Sequence, residues 1–334
     1  MDLLINKLPK SSTKKETWPW IEPAESNIRP TANTTSLPKI SIVTPSFNQG
    51  QFIEETIRSV LLQEYPNSEY IIIDGGSTDQ TVDIIKKYEP WLTYWESKKD
   101  NGQSHAINKG LRHATGDYVA YLNSDDIYLP GALHAVAQAA HGSGIRQDWV
   151  AGNVQFCDPH LKLGRLVEQK DVDSIWTWIS MAKKYRTPLC QPSVFWSREI
   201  CERVGRFDEK MHYAFDSEYW VRTAICGYRP HLISKTLSLF RLHDTSKTIV
   251  SQEFGREFQA IALRHGKSAS WPWRLIWCKW MCENISQKLQ NTTVNSVGKE
   301  YRLKSLLRFT KSLLIAPWRI LSRPSLGCLR RIIF

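Results

Sequence analysis

The chain has 334 residues, of which 42% are hydrophobic and 11% aromatic, so it can bury one large core or two smaller ones. The formal net charge is +11, but residues 1–255 carry −1 and residues 256–334 carry +12. These values exclude a wholly disordered chain and a uniformly basic nucleic-acid-binding protein, and they indicate a near-neutral body with a cationic tail.

Strand and helix patterns alternate once the N-terminal residues are passed. Residues 1–38 are polar and contain five prolines, which predicts a mostly irregular leader. From residue 39 onward, apolar runs predict strands and apolar residues at helical spacing predict helices. The predicted strands are 40–43, 70–73, 92–95 and 118–122, and the predicted helices are 53–61, 82–88 and 104–113. This alternation predicts an α/β fold, with a mostly parallel sheet and helices on both faces.

Three of the predicted strands end in polar or glycine-bearing loops, at residues 44–50, 74–79 and 123–126. Ligands of open parallel sheets bind beyond the carboxyl ends of the strands, so we expect these loops to line one crevice. Neither the P-loop motif GxxxxGK(S/T) nor a GxGxxG motif after the first strand is present in the sequence. A P-loop protein and a standard dinucleotide-binding fold are therefore not supported.

Carboxylates are the chemical feature of this crevice, because Asp74 ends one strand and Asp125 and Asp126 follow another. Adjacent carboxylates repel each other unless a cation lies between them, and hard oxygen ligands suit Mg²⁺ or Mn²⁺. An ion held there would bind a diphosphate and stabilise it as a leaving group. The alternative is structural, with Asp126 as the N-cap of a helix that starts near Pro130.

Several segments, taken together, resemble those of family 2 glycosyltransferases, which have the GT-A fold. The segments are TPSFN at 44–48, IIDGGSTD at 72–79, DNGQSHAINKG at 100–110, GD at 116–117 and LNSDD at 122–126. The match extends in order and spacing from about residue 39 to residue 248. The resemblance implies a GT-A catalytic domain over residues 39–255, with the leader before it and a basic helical extension over residues 256–334.

The resemblance implies a set of nucleotide-binding residues. They are Thr44, Pro45, Phe47, Asp74, Gly76, Gln103, Asn123 and Ser124. In this set, Asp74 would accept a hydrogen bond from an N–H of the base. Two positions depart from the family pattern, since Asn123 stands where the DxD motif usually begins with Asp, and Gly75 stands where many members have a second Asp.

The resemblance also implies that Asp125 and His243 bind the metal, Mg²⁺ or Mn²⁺. A histidine at such a place can equally be a surface or core residue. Arg241 and Lys247 would neutralise the departing nucleotide diphosphate.

The acceptor side of the site is implied by the second half of the match, where Asp216 is the residue that corresponds to the catalytic base. Phe215, which replaces the usual Glu, would desolvate Asp216 and raise its pKa. The alternative for Asp216 is the N-cap of a helix over residues 217–226, and Glu218 is the alternative base.

These roles imply an inverting transfer of a sugar from a nucleotide-diphosphate donor to an acceptor hydroxyl. One alternative is a sugar-nucleotide pyrophosphorylase, but the glycine-rich loop usual near the start of such enzymes is absent. The other is a non-catalytic module that binds a membrane or nucleic acid through the tail. The acidic crevice argues against the second alternative, so no nucleic acid partner is expected.

The tail combines large apolar side chains with cations: tryptophans cluster at 271, 273, 277 and 280, and residues 301–334 hold eight Lys and Arg and no acid. This composition is typical of a helix in a membrane interface, the alternative being a helical appendage with a solvated basic face. The first interpretation predicts a lipid-linked acceptor glycan, as in bacterial cell-surface polysaccharide assembly.

The sequence also indicates the cellular compartment of the protein. Seven scattered cysteines without a CxxC pair favour reduced thiols over a disulfide framework or a zinc site. Neither a secretory signal nor a run of about 20 apolar residues is present. We therefore expect a cytoplasmic protein, peripheral on the inner face of the cell membrane.

Overall fold

A computed structural model of the chain describes residues 4–10, 17–21, 37–141, 147–169, 189–247 and 253–266. The chain divides into two compact units, of which the first comprises Met1–Val172 and Pro188–Glu253, and the second Asp173–Thr187 and Phe254–Phe334. Beyond residue 253 only one helix is described, Glu253–Gly266. The tryptophans of the tail and residues 301–334 lie outside the described residues, so the membrane-interface helix stays a prediction.

Strands and helices alternate along the first unit, as the sequence pattern predicts. The strands are β1 (Ile40–Ser46), β2 (Ser68–Asp74), β3 (Tyr94–Ser97), β4 (Tyr118–Tyr121), β5 (Ile127–Tyr128), β6 (Trp149–Cys157), β7 (Leu163–Val167), β8 (Val194–Ser197) and β9 (His231–Arg241). The helices are α1 (Leu4–Lys7), α2 (Ile53–Leu61), α3 (Thr81–Tyr88), α4 (Gln103–His113), α5 (Ala132–His141), α6 (Arg198–Val204) and α7 (Phe215–Ile225), and Glu253–Gly266 is α8. None of these helices, within the described parts of the chain, is long and apolar enough to cross a membrane.

The described strands form one sheet with the order β3-β2-β1-β4-β8-β6-β9-β5, and β7 pairs with β6. The strands β1 to β4 pair in parallel, as predicted. The strands β5, β7 and β8 pair antiparallel to their neighbours, which the sequence analysis did not predict. The α/β fold class is confirmed, and the predicted parallel arrangement describes the half of the sheet that carries the crevice.

Helices cover both faces of the parallel half. Ile40, Ile42 and Ile72 lie in one buried cluster with apolar residues of α2, α3 and α5. Val43 points to the opposite face, since side chains alternate along a strand, and there it meets α4 at Gly110. A Cβ at Gly110 would overlap the methyl groups of Val43, so glycine permits this close approach of helix and strand.

The carboxyl ends of β2, β1 and β4 lie side by side at one edge of the sheet. Ser46 at the end of β1 pairs with Asp74 at the end of β2, and Val43 pairs with Tyr121 at the end of β4. Because β2 and β4 flank β1, two strand spacings, about 10 Å, separate them across the sheet. This edge therefore offers a platform of that width to a ligand.

The described parts of the leader pack against the first unit. Leu8 is buried, and the indole nitrogen of Trp18 donates a hydrogen bond to the carbonyl oxygen of Tyr128 at 2.8 Å. The guanidinium of Arg58, in α2, donates to the carbonyl oxygens of Pro9 and Pro19. The division into leader, catalytic domain and tail stays a prediction.

Candidate active site

A cleft of about 440 Å³ opens at the carboxyl edge of β1, β2 and β4. Six residues that the resemblance implied line it: Pro45, Phe47, Gln103, Asn123, Ser124 and Asp125. Lys247 and Arg241 line it too. The structure therefore brings together the loops after three strands.

Asp125 and His243 meet at the cleft. Nε2 of His243 lies 2.9 Å from Oδ2 of Asp125, and its Nδ1 lies 2.9 Å from the hydroxyl of Thr245. The imidazole is buried and packs against the ring of Phe52, with the ring centroids 4.7 Å apart. Because the hydroxyl of Thr245 can donate or accept, it supports the imidazole with the proton on either nitrogen.

The donor set at this point fits a divalent ion that is held by few protein ligands. Neighbouring ligands of an octahedral Mg²⁺ ion lie about 3 Å apart, and Asp125 Oδ2 and His243 Nε2 are 2.9 Å apart. Among the described residues, no group of three or more His, Cys, Asp or Glu side chains could hold a metal. Mg²⁺ usually keeps several waters and binds one or two carboxylates plus substrate phosphates, which is the kind of site that this pair can form.

Asn123 is the centre of a hydrogen-bond network on the floor of the cleft. Its carbonyl oxygen accepts from Nε2 of Gln103 at 2.6 Å, and its amide nitrogen donates to Asp126 at 3.2 Å and to Gln191 at 3.4 Å. Gln103 also accepts from Nζ of Lys247 at 2.9 Å. An amide is needed at position 123, because a carboxylate could not donate to Asp126.

Asp126 is buried below the network and does not cap a helix. The predicted capping role is wrong, because α5 begins at Ala132 and Oδ1 of Asp126 accepts from the backbone N–H of Arg241 at 3.0 Å. Burial, followed by the nearby charge of Asp125, raises the pKa of Asp126 well above its usual value.

Arg241 is committed to an ion pair inside the protein. Its NH2 nitrogen lies 2.6 Å from Oε2 of Glu55, and both side chains are almost fully buried. Its guanidinium also stacks on Phe52, at 4.6 Å from the ring centroid. The positive charge of Arg241, which was expected to meet the diphosphate, is thus balanced by Glu55. No sequence pattern indicated this partner. The ammonium of Lys247 is more exposed and lines the cleft.

Asp74 faces its own loop rather than the cleft. Its Oδ2 accepts from the backbone N–H groups of Gly76 and Ser77 and from the hydroxyl of Ser97, and its Oδ1 accepts from the hydroxyl of Ser77. The residue is completely buried. Thr44 is also buried, with its hydroxyl 3.1 Å from that of Tyr70. Neither residue lines the cleft, and their predicted contacts with a nucleotide stay predictions.

Asp216 lies in the first turn of α7 and is half-buried. The helix has Ala214 as its N-cap, so Asp216 is not the cap, and its Oδ1 accepts from the backbone N–H of Ser217 at 2.6 Å. Burial, then Asp126 and Asp216, raise the pKa of Cys190 to about 12. Asp216 does not line the 440 Å³ cavity.

Glu218, the alternative base, is engaged elsewhere. Both its carboxylate oxygens accept from Nε of Arg222, at 3.0 and 2.8 Å, and the side chain is only 1% exposed. Phe215 is buried and packs between Tyr121 and Phe207. Of the acidic side chains in this turn, Asp216 is therefore the more accessible one.

The structural comparison defines the class of the protein. The structure resembles that of a fragment of S. aureus TarS in complex with UDP-GlcNAc, with a TM-score of 0.62 and 17% identity, covering 88% of this chain and 90% of that one. The fold is thus the GT-A fold of glycosyltransferases, as predicted.

The sequence comparisons define the family. The model of Glycosyl transferase family 2 matches residues 41–198. An uncharacterized glycosyltransferase of Mycobacterium tuberculosis is 30% identical over 197 residues, which cover 57% of this chain and 71% of that protein. A PGL/p-HBAD biosynthesis glycosyltransferase of Mycobacterium bovis is 26% identical over 226 residues, covering 65% and 82%. The chain belongs to glycosyl transferase family 2, and the prediction of this family is confirmed.

Proposed function

We propose that this chain transfers a sugar, with inversion, from a nucleotide-diphosphate donor to an acceptor hydroxyl. The observation that carries the proposal is the cleft at the carboxyl edge of the sheet, where Phe47 lies on the same surface as the pair Asp125 and His243 and the ammonium of Lys247. An exposed aromatic ring suits a base, and a carboxylate, an imidazole and a cation suit a metal-bound diphosphate. Membership of the family and the UDP-GlcNAc complex of TarS support a nucleotide-sugar donor.

The diphosphate would be bound at the β4 end of the cleft. Asp125 and His243 would hold Mg²⁺ or Mn²⁺, which when bound offsets the charge that develops on the departing diphosphate. Lys247 adds a positive charge there, and its hydrogen bond to Gln103 orients the ammonium. Arg241 contributes indirectly, since it fixes Asp126 through its backbone N–H.

Asp216 would act as the base on the acceptor side. Its carboxylate takes the proton from the acceptor hydroxyl as the oxygen attacks the anomeric carbon, and the bond from that carbon to the diphosphate breaks. Attack from the face opposite the leaving group gives a product of inverted configuration. Support comes from the accessible position of Asp216 in the first turn of α7, in contrast to the buried and ion-paired Glu218.

The acceptor would be a lipid-linked glycan or a glycolipid of the membrane. The named role of the Mycobacterium bovis relative in PGL/p-HBAD biosynthesis supports a glycolipid pathway. The cationic residues 256–334 would bring the enzyme to an anionic membrane surface. Binding of the full chain to vesicles of anionic lipid, reversed by high salt, tests this part, and equal binding to neutral vesicles would contradict it.

The test of the reaction is a screen of nucleotide sugars with the full chain, a lipid extract as acceptor, and Mg²⁺ or Mn²⁺. We expect release of a nucleoside diphosphate and labelling of a lipid by one class of donor. The variant Asp83→Asn, which loses one carboxylate at an exposed position of α3, should give the same result as the wild-type protein in this screen. Release of pyrophosphate would instead indicate a pyrophosphorylase, and failure to bind any nucleotide sugar would overturn the proposal.

A further inference from the structure

We infer that Asp100 selects the nucleobase of the donor, by accepting a hydrogen bond from the ring N–H group on the Watson–Crick edge of the base. Donors with uracil, thymine or guanine would then be preferred to donors with cytosine or adenine. This inference rests on the proposed function, because it assigns a specificity-determining residue to the same cleft. The observations that carry it are the position of Asp100, the space beside Gly75 and the commitment of Asp74 to its own loop.

Asp100 lies in the connection between β3 and α4 and lines the cleft. Its Oδ1 accepts a hydrogen bond from the backbone N–H of Gly102 at 2.8 Å, which fixes the orientation of the carboxylate. No described residue donates a hydrogen bond to its Oδ2. Since a carboxylate only accepts hydrogen bonds, this half-buried oxygen is suited to a donor group on a ligand.

The carboxylate of Asp100 occupies the place that a side chain at position 75 would enter. A Cβ added at Gly75 would lie 3.0 Å from Oδ2, 3.2 Å from Cγ and 3.3 Å from Oδ1 of Asp100, and these are its three nearest neighbours. The backbone N–H of Gly75 donates to the carbonyl oxygen of Ser46 at 2.8 Å, so this place adjoins the ends of β1 and β2. Asp100 thus supplies a negative charge where residue 75 cannot.

Asp74 cannot supply this charge without breaking its own loop. Its two carboxylate oxygens already accept four hydrogen bonds, from Gly76, Ser77 and Ser97. The carboxylate beside the end of β2 that keeps an oxygen for a ligand is therefore that of Asp100.

The two ends of the cleft fit the two ends of a nucleoside diphosphate. Two strand spacings, about 10 Å, separate β2 from β4 across the sheet, because one strand lies between them. A diphosphate at Asp125 would thus place its nucleoside toward Gly75 and Asp100. Phe47 is 59% exposed on the same cleft and offers a flat apolar surface for the face of a base.

Base chemistry then decides which donors are accepted. Uracil and thymine carry an N3–H and guanine carries an N1–H, whereas the corresponding ring nitrogens of cytosine and adenine are acceptors. An acceptor lone pair that faces the carboxylate would be repelled and left without a partner, and such mismatches are rejected strongly. We expect a preference of about tenfold to a hundredfold.

The experiment compares the binding of UDP, GDP, CDP and ADP, each with Mg²⁺, to the full-length protein and three variants by calorimetry. Asp100→Gly and Asp100→Asn should lose the preference for UDP or GDP by about tenfold or more. The double variant Gly75→Asp with Asp100→Gly should regain it, because the new side chain enters the vacated place. Asp83→Asn should keep the wild-type preference, and circular dichroism establishes that each variant is folded.

Two kinds of failure remain distinguishable. If the wild-type protein binds no nucleoside diphosphate, the proposed function fails and the inference fails with it. If the wild-type protein binds UDP or GDP and folded Asp100→Gly keeps the same preference and affinity, or if the wild-type protein prefers CDP or ADP, only the inference is overturned.

Discussion

The imidazole Nε2 of His243 lies 2.9 Å from Oδ2 of Asp125, so residues 118 positions apart join the loop after β9 to the loop after β4. Thr245 contacts the other imidazole nitrogen, and the backbone N–H of His243 donates to the hydroxyl of Ser246 at 3.0 Å. The loop after β9 is thus fixed beside a carboxylate that faces the cleft. Contacts of this kind determine the effects of five substitutions.

The first prediction concerns the metal. Replacing His243 by alanine should raise the Mn²⁺ or Mg²⁺ concentration needed for half-maximal activity by about tenfold to a hundredfold, because one of the two proposed protein ligands would be lost. The measurement is a metal titration of sugar transfer at saturating donor. His160→Ala, in an exposed turn, should leave the titration unchanged. An unchanged metal requirement in His243→Ala would exclude the imidazole as a ligand.

The second prediction separates the two acidic residues of α7. Asp216→Asn should lower kcat by about a hundredfold to ten-thousandfold while donor binding persists, because the proposed base would be lost and Asp216 does not line the cleft. Glu218→Gln should instead lower the free energy of unfolding by about 2 kcal/mol, because it removes the charge of a buried carboxylate that accepts two hydrogen bonds from Arg222. Turnover and urea unfolding of both variants test the assignment, and a near-normal kcat in Asp216→Asn would refute it.

The third prediction concerns Asn123. Asn123→Asp should lower the free energy of unfolding by about 2 kcal/mol near neutral pH, since the donors to Asp126 and Gln191 are lost and a second carboxylate adjoins a buried one. Asn101→Asp, at an exposed position outside the network, is the matched control for the added charge. Equal urea midpoints for Asn123→Asp and the wild-type protein at pH 8 would contradict the role given to the amide.

The sequence predicts the parallel half of the sheet and the loops at its edge because these follow from local pattern and from strand order. The apolar runs of β1, β2 and β4 identify the strands, and their ends place Phe47 and Asp125 on one cleft. What local pattern cannot report is the partner of a polar side chain. Arg241 is paired with Glu55, which lies 186 positions away, and this pairing balances the charge of a guanidinium that lines the cleft.

The direction of the Asp74 side chain is a second feature that the local sequence pattern does not show. The position of this residue at the end of β2 was predicted correctly, since it follows directly from the apolar run before it. The direction of its carboxylate depends on Ser97, 23 positions further on, and on the loop that Gly76 forms with a φ of +84°. Chain position therefore indicates which loops meet, whereas the hydrogen-bond donors that surround a carboxylate decide which one faces the ligand.

The last prediction concerns acid stability and Glu69, which lies in β2 and is 6% exposed. Burial opposes ionisation, but hydrogen bonds from Lys39, Ser41 and Thr115 prevail and lower the pKa of Glu69 to about 2. A pKa lowered by folding stabilises the protein above the unfolded value near 4.5, and this contribution is lost as the pH falls toward 2.

At pH 7, Glu69→Gln should therefore be less stable than the wild-type protein by on the order of 3 kcal/mol. The difference should shrink progressively as the pH is lowered from about 4.5 to 2, because the wild-type carboxylate then takes up its proton. Urea unfolding of both proteins at a series of pH values measures this, and Glu89→Gln, at an exposed site, is the matched control. A stability difference that stays constant from pH 7 to pH 3 would show that the charge of Glu69 is not what these three donors stabilise.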